Sequence, residues 1–146
     1  MNRRFAPAVL SSALGLAITL AGCASTTLPI DNTEWQLQRW NGHDLGSDNP
    51  PPDLHIEQRQ VWGYTGCNQY SAAYTVENGK LVAHDLRVTR DVCVGPAKQE
   101  LEAALLAALT RGVPVVQQGQ QLRLDTGSTP LEFVRREPST RRLPNP

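Results

Sequence analysis

The chain has 146 residues, with 14 basic and 14 acidic side chains and therefore no formal net charge. Such a balance lacks the basic excess that nucleic-acid binding requires, so we expect no nucleic acid among its partners. Three cysteines and three histidines are present, which limits the metal and redox chemistry that the sequence can support.

The first residues have the pattern of a secretory signal. Arg3 and Arg4 precede an uncharged, mostly apolar run of 16 residues, from 5 to 20. That run is shorter than the roughly 20 residues of a membrane-spanning helix, so a transmembrane anchor is the weaker interpretation. Residues 20–23, LAGC, then resemble the bacterial lipobox.

The lipobox resemblance implies cleavage between Gly22 and Cys23 and attachment of a lipid to the Cys23 thiol. The alternative is an ordinary cleaved signal that happens to end at a cysteine. An aspartate after the modified cysteine would favour the inner membrane, so Ala24 implies the outer membrane, facing the periplasm. We therefore expect residues 1–22 to be a signal peptide and residues 23–32 a lipidated tether.

Cleavage leaves 146 − 22 = 124 residues, which is enough for one domain with a modest core, expected over 33–136. Residues 23–134 hold 8 basic and 13 acidic side chains, so this body is mildly acidic. The final segment, 137–146, has little to bury and is predicted to be a disordered tail.

Two cysteines remain when Cys23 is set aside, Cys67 and Cys93. An even count in an exported chain favours a disulfide between them, closing a loop of 93 − 67 = 26 residues. A reduced buried pair is the first alternative, and redox, metal or catalytic chemistry is the second. Zinc sites usually use close ligand pairs such as CxxC, and the three histidines are scattered, so we expect no metal and no cofactor.

Nine short runs are predicted to be β-strands, because apolar and polar residues alternate in them or β-branched residues cluster there. The clearest example contains Trp35 and Leu37 on one face, and Asn78-Gly79 supplies a hairpin turn later in the chain. Strands so short and so closely spaced favour an antiparallel meander. The runs are 34–40, 54–56, 61–64, 70–76, 81–83, 86–88, 113–117, 121–125 and 131–134.

One helix is predicted to begin at Gly95-Pro96, since proline is tolerated in the first turn, and to end before Gly112. We expect it to lie across one face or mouth of the sheet. Its apolar residues form a single stripe that belongs to the core: Leu101, Ala104, Leu105, Ala108 and Leu109.

No pair of side chains has the spacing of a catalytic dyad. His84 and Asp85 are neighbours in a strand and point to opposite faces. Glu100 and Glu102 are two residues apart on the helix and do not face each other.

Four signatures in this order resemble the META domain (HslJ-like) family of bacterial envelope proteins, over about residues 33–135. They are Trp35-x-Leu37 with Asn41-Gly42, the turn from Gly66 to Tyr70 (GCNQY), the hairpin Asn78-Gly79-x-Leu81, and Thr89-x-x-x-Cys93 before a helix with Glu100.

The resemblance implies an α+β fold, a curled, barrel-like antiparallel meander packed with one amphipathic helix. It carries over Cys67, Asn68 and Cys93 as structural positions and gives no catalytic residues. In the turn, Gly66 permits unusual dihedral angles, and Asn68 can bond the nearby backbone or adopt the left-handed region. We expect the three tyrosines to pack around the crosslink.

Members of the family are associated with heat-shock or envelope-stress responses, which gives the favoured function. We expect a non-enzymatic envelope lipoprotein, held to the membrane by the lipid on Cys23, that contacts another envelope protein or a cell-wall component. A carrier of a small apolar ligand is the first alternative. An enzyme is the second, and it requires His55 or His84 to meet an acid in a cleft.

Overall fold

The computed structural model describes residues 30–45, 48 and 50–137. Within these ranges the chain forms nine β-strands and one α-helix, which confirms the predicted α+β class. The elements are β1 (Thr33–Trp40), β2 (His43–Asp44), β3 (Asp53–Glu57), β4 (Gln60–Tyr64), β5 (Gln69–Glu77), β6 (Lys80–Val88), α1 (Pro96–Arg111), β7 (Val113–Gln118), β8 (Gln121–Leu124) and β9 (Leu131–Arg136).

The sheet is an antiparallel meander that closes on itself. Each strand from β3 to β9 pairs with the next one in the chain, and β9 returns to pair with β1. The other edge of β1 is shared by β3 along its first half and by the two-residue strand β2 at its end. Closure leaves few unpaired strand edges, which protects a small sheet from edge-to-edge association.

The strand registers define two ends of this barrel. At one end, Thr33 begins β1 opposite Ile56, and the chain leaves β9 at Arg136, which pairs with Glu34. We call this the terminal end. At the opposite end lie the segments 65–68 and 89–95, which connect β4 to β5 and β6 to α1, and we call this the disulfide end.

Helix α1 has the predicted bounds because a glycine flanks each of its two ends. Gly95 and Gly112 both have positive φ, at 98° and 83°, and Pro96 opens the first turn. Strand β7 pairs with only two residues of β6, so the helix packs beside the rest of β6 and extends the wall of the barrel. No helix in the described ranges combines the length and the apolar character needed to cross a bilayer.

The interior of the barrel is filled by side chains from the strands and the helix. Leu101, Leu105, Ala108 and Leu109 supply the buried helix face, as the stripe predicted, and Ala104 is partly buried against it. They meet the inward residues of the strands in one cluster, whose largest members are Trp35, Tyr70, Phe133, Leu37, Leu54 and Ile56.

Glycine is required at position 63, where two backbones approach closely. A Cβ built on Gly63 would lie 2.2 Å from the carbonyl oxygen of Asp53 and 2.9 Å from the hydroxyl of Tyr70. That hydroxyl donates a 2.9 Å hydrogen bond to the same Asp53 carbonyl. The contact fixes β3, β4 and β5 against one another beside the disulfide end.

Three details of the sheet and its packing differ from the prediction. The two-residue strand β2 was not predicted. Residues 81–83 and 86–88 belong to one strand, β6, which has a bulge at Asp85 (φ 53°) instead of a break. Tyr74 does not pack around the crosslink, because it lies near Asp31 and Arg59 at the terminal end. Burial, followed by the Asp31 charge, raises the pKa of Tyr74.

Candidate functional site at the disulfide end

The disulfide end is held by a covalent bond between two loops. Cys67 lies in the turn between β4 and β5, and Cys93 lies three residues before the helix. The two are joined as a disulfide, with Cα atoms 5.4 Å apart. This separation is within the range that disulfides occupy, and both cysteines are half-buried.

Thr65 organises the turn that carries Cys67. Its hydroxyl oxygen accepts hydrogen bonds from the backbone N–H groups of Cys67, at 3.2 Å, and Asn68, at 2.9 Å. Its backbone N–H donates to the Asn68 carbonyl at 2.9 Å. Gly66 lies at φ 94°, in the left-handed half of the map, as its place in the turn predicts.

Asn68 connects this turn to the helix and to the opposite loop. Its side-chain N–H₂ donates to both carboxylate oxygens of Glu102, at 3.1 and 2.9 Å. Its side-chain oxygen accepts from the Thr89 hydroxyl at 2.9 Å and from the Asp91 backbone N–H at 2.7 Å. Only 4% of Asn68 is exposed, so this amide is a buried bridge with both of its polar ends satisfied.

The sequence predicts that Asn68 bonds the nearby backbone or adopts the left-handed region, and in the structure its side-chain oxygen does not bond locally and its backbone does not adopt that region. Its side chain bonds the backbone of Asp91, which is distant in sequence. The residue is not among the non-glycine residues with positive φ in the described part of the chain. Its side chain instead reaches the helix, where it bonds Glu102.

Glu102 is the helix residue on which the network converges. Besides the two bonds from Asn68, one of its oxygens accepts the Thr65 hydroxyl proton at 2.6 Å. One oxygen of Glu102 and the two cysteine sulfurs all lie within 4.8 Å of one another. The carboxylate is half-buried and held next to the disulfide by three hydrogen bonds from two side chains.

The loop before the helix presents two apolar side chains to solvent. Val92 is 91% exposed and Val94 is 80% exposed, on either side of Cys93. Isolated exposed apolar residues are common on proteins. Here the two valines share a backbone that the disulfide and the Asn68–Asp91 bond fix in place. We call this pair the loop valines.

A second polar cluster lies on the outer face of β1, β3 and β4. The ring of His55 stacks on Trp62 with centroids 3.8 Å apart. Its Nδ1 is 3.6 Å from a Glu34 oxygen, and its Nε2 is 3.4 Å from an Asp53 oxygen. His55 therefore does meet acids, but it is only 4% exposed and does not open into a cleft.

The other candidate histidine is on the surface. His84 Nε2 lies 2.7 Å from the Thr75 hydroxyl and 3.7 Å from a Glu77 oxygen, across the exposed side of β5 and β6. Asp85, its sequence neighbour, is exposed at the bulge and does not form a hydrogen bond or ion pair with this ring in the described structure. The hydroxyl and the acid approach the same ring nitrogen, so the acid does not orient the ring from its far side as in a catalytic triad.

An open groove of about 540 Å³ runs over the outside of β7, β8, β9 and β1. Its walls carry the ion pairs Arg39–Glu132, at 3.7 Å, and Arg123–Asp125, at 3.1 Å. Hydrogen bonds from Gly127 and then from Arg123 lower the pKa of Asp125. Polar residues dominate the groove, so it does not suit an apolar ligand.

Several sequence-predicted sites lie outside the described residues. The signal peptide, the cleavage point between Gly22 and Cys23, the acylated Cys23 and most of the tether and tail are in the segments 1–29 and 138–146. They remain predictions. Of the predicted positions within the described chain, Gly66, Cys67, Asn68 and Cys93 come together at one site.

Thr65 and Glu102 are site residues that the sequence patterns did not indicate. Spacing along the helix relates Glu102 only to Glu100, which is exposed and does not take part in the network in the described structure. The available signal was the position of Glu102 directly after buried Leu101, at the edge of the apolar stripe. A half-buried acid at such an edge needs donors, and the polar turn at 65–68 offered them.

Comparisons with known proteins agree on one family. The model of the META domain matches residues 26–138. "Heat shock protein HslJ" from Escherichia coli (strain K12) is 28% identical over 126 residues, which cover 82% of this chain and 90% of that protein.

Two solved structures are similar in fold as well as in sequence. A protein from Burkholderia xenovorans, solved by NMR, is 33% identical, with a TM-score of 0.58 and coverage of 89% of this chain and 97% of its own. Another NMR structure is 29% identical, with a TM-score of 0.63 and coverage of 70% and 88%.

Proposed function

The chain belongs to the META domain family, and from that membership we propose that it is a non-enzymatic, lipid-anchored protein of the cell envelope. In this proposal it contributes to envelope-stress or heat-shock-type resistance by contacting another envelope protein through the loop valines. The observation that carries the contact is the pair of exposed valines held beside the disulfide.

Two features support the cellular role. The relative from Escherichia coli is named a heat shock protein, and it matches over nearly its whole length. The leader of this chain ends in LAGC, which supports acylation of Cys23 and placement in the outer membrane, facing the periplasm. An envelope protein that is anchored in this way meets its partners at the membrane surface.

The position of the loop valines favours a protein partner over the lipid bilayer. The chain enters the domain at Ile30, which is buried in the core beside Thr33 at the terminal end, so the tether is shorter than the predicted 23–32. Val92 and Val94 lie at the disulfide end. A surface opposite the attachment point is presented away from the membrane. Val92 and Val94 are aliphatic, and burying each would contribute roughly 1 to 2 kcal/mol to binding.

The interior supports this proposal over the carrier alternative. The inward residues of the strands and the buried face of α1 form one cluster, so side chains occupy the place where an apolar ligand would have to lie. The groove on the outside is lined mainly by amide and charged groups.

The two histidine clusters support the non-enzymatic part of the proposal. His55 is shielded from substrate by its burial. His84 is accessible, but its acid approaches the same ring nitrogen as the hydroxyl. Neither arrangement has the base and orienting acid on opposite sides of an accessible ring.

The proposal is tested by complementation of a deletion strain, with survival after a heat shift as the measurement. We expect the parent gene to restore survival, and Cys23→Ser or the double variant Val92→Ser/Val94→Ser to restore much less of it. Val116→Ser is the matched control, since Val116 is also exposed but lies on β7, away from the loop.

Each outcome addresses one part of the proposal. A deletion strain with normal survival contradicts the stress role. Full rescue by Cys23→Ser contradicts membrane placement, and full rescue by the double valine variant at normal abundance contradicts the contact surface. A photo-crosslinker at position 92 should capture the envelope protein that binds the loop valines. This crosslinked product should be lost when Val94 is also replaced.

A further inference from the structure

We propose that Cys67, Cys93 and Glu102 form a binding site for one Zn²⁺ ion when the disulfide is reduced. This inference goes beyond the envelope role and does not depend on it. It also revises the sequence-based expectation of no metal. That expectation rested on the 26-residue spacing of the cysteines, which the fold overcomes by bringing the two loops together.

The three ligand atoms already lie in the volume that a metal ion requires. One oxygen of Glu102 and the sulfurs of Cys67 and Cys93 are mutually within 4.8 Å. Zinc binds thiolate sulfur at about 2.3 Å and carboxylate oxygen at about 2.0 to 2.2 Å, so tetrahedral ligands are roughly 3.5 Å apart. Once the sulfur–sulfur bond is broken, small side-chain rotations are enough to reach that spacing.

Glu102 has the hydrogen-bonded support that metal-binding carboxylates have. One of its oxygens accepts from both Thr65 and Asn68, and the other accepts only from Asn68 in the described structure. A carboxylate oxygen has two lone pairs, so the second oxygen retains one for a metal. Such outer-shell donors fix the orientation of a ligand and are a regular part of metal sites.

The negative charges of the reduced site favour binding of a cation over a role in thiol–disulfide exchange. Two thiolates and one carboxylate would place three negative charges within 4.8 Å of one another. A carboxylate so close disfavours the thiolate that must leave in thiol–disulfide exchange, so the arrangement is poorly suited to an oxidoreductase. A divalent cation between the three groups removes the repulsion.

Reduction of the disulfide requires a reductant, which is a small dithiol or two thiols. The Cys67–Cys93 bond breaks and takes up two electrons and two protons, while the two reductant thiols become a disulfide. Zn²⁺ then replaces the two thiol protons, which are released to solvent. Water or an outside ligand fills the fourth position, because the site supplies three protein ligands.

The test uses the full chain carrying Cys23→Ser, so that Cys67 and Cys93 are its two cysteines. The protein is reduced with a dithiol, desalted without oxygen and titrated with Co²⁺, whose absorption reports thiolate ligation, and then with Zn²⁺ in competition. We expect one equivalent of metal to bind the reduced protein and none to bind the oxidised protein.

Glu102→Gln should weaken Zn²⁺ binding at least about tenfold, since even outer-shell changes cost 10- to 100-fold. Glu100→Gln is the matched control and should bind like the parent, because Glu100 is exposed and outside the network. Zn²⁺ should also raise the melting temperature of the reduced protein and leave that of the oxidised protein unchanged, a measurement that needs no Glu102 variant.

Three results would overturn the inference. They are a reduced protein without a thiolate-to-cobalt band, equal metal binding by the oxidised protein, and a folded Glu102→Gln variant with the affinity of the parent. The last result would mean that any adjacent pair of thiols suffices.

Discussion

Asn68→Asp exchanges the amide N–H₂ at the centre of the disulfide-end network for an oxygen. The introduced carboxylate can still accept from Thr89 and from the Asp91 backbone, as the amide oxygen does. It can no longer donate the bonds of 3.1 and 2.9 Å to Glu102. The variant therefore tests one contact while the shape of the side chain is kept.

Two terms set the expected loss of stability. Losing charge-assisted donation to a half-buried carboxylate costs about 2 kcal/mol. Two carboxylates about 3 Å apart repel by roughly 5 kcal/mol at an effective dielectric constant of 20, and partial exposure and side-chain movement reduce this to about 2 to 3 kcal/mol. We expect a total of about 4 to 5 kcal/mol at pH 7, against about 2 to 3 kcal/mol for Asn68→Ala.

The assay is urea unfolding of the oxidised protein at several pH values, compared with the parent at each pH. One proton shared by the two carboxyl groups removes the repulsion, so the folded variant takes up more protons than the unfolded chain. A repulsion of about 2 to 3 kcal/mol corresponds to a rise of about 2 in the folded carboxyl pKa. The loss of stability relative to the parent should therefore be largest above about pH 6 and shrink towards that of Asn68→Ala below about pH 4.

Asn78→Asp is the matched control, because Asn78 lies at an exposed hairpin and should change stability by less than about 0.5 kcal/mol. Equal losses for aspartate and alanine at position 68, with no dependence on pH, would refute the placement of this amide against Glu102.

Three further predictions concern the barrel itself. Gly63→Ala should cost about 3 kcal/mol or more, measured by thermal unfolding, because the new Cβ meets the Asp53 carbonyl oxygen at 2.2 Å and backbone must move; a stable variant with unchanged strand pairing would contradict this. Burial, followed by the Asp53 charge, raises the pKa of Tyr70 well above 10. The pKa of Tyr70 is higher in the folded protein than in the unfolded chain. The contribution of Tyr70 to the free energy of unfolding is therefore complete below pH 10 and is lost as the pH rises further. The free energy of unfolding should thus fall above pH 10, and it should fall less steeply in Tyr70→Phe than in the parent. Identical slopes for the two proteins would contradict the raised pKa of Tyr70. Replacing Cys67 and Cys93 together by serine opens a 26-residue loop and should cost about 3.5 kcal/mol on the chain-entropy model, which chemical denaturation of the parent and the variant can check.

The sequence predicted the local elements well because each is marked by local chemistry. The helix begins and ends where Gly95-Pro96 and Gly112 indicate, since these residues end a helix regardless of the surroundings. The strand alternation at Trp35 and Leu37 correctly gave the inward face. The barrel-like curl followed from the family resemblance.

The remaining features depend on contacts between distant residues. Closure requires β1 to pair with β9, about 100 residues later, and no short pattern specifies that register. Alternation along β3 predicts that His55 faces outward, yet its surroundings bury it. Glu102 gained its role from a turn more than 30 residues earlier in the chain, which spacing on its own helix does not reveal.

Closure of the barrel also has a consequence for the order of the chain. Glu34 and Arg136 are paired, so the first and last strands are neighbours in space at one end of the domain. The hairpin at Asn78-Gly79 is exposed at that same end. A circular permutant that joins residue 136 to residue 30 through a short linker and starts at 79 would keep every strand pair and the buried Ile30. We therefore expect the fold to be independent of which residue of the ring comes first.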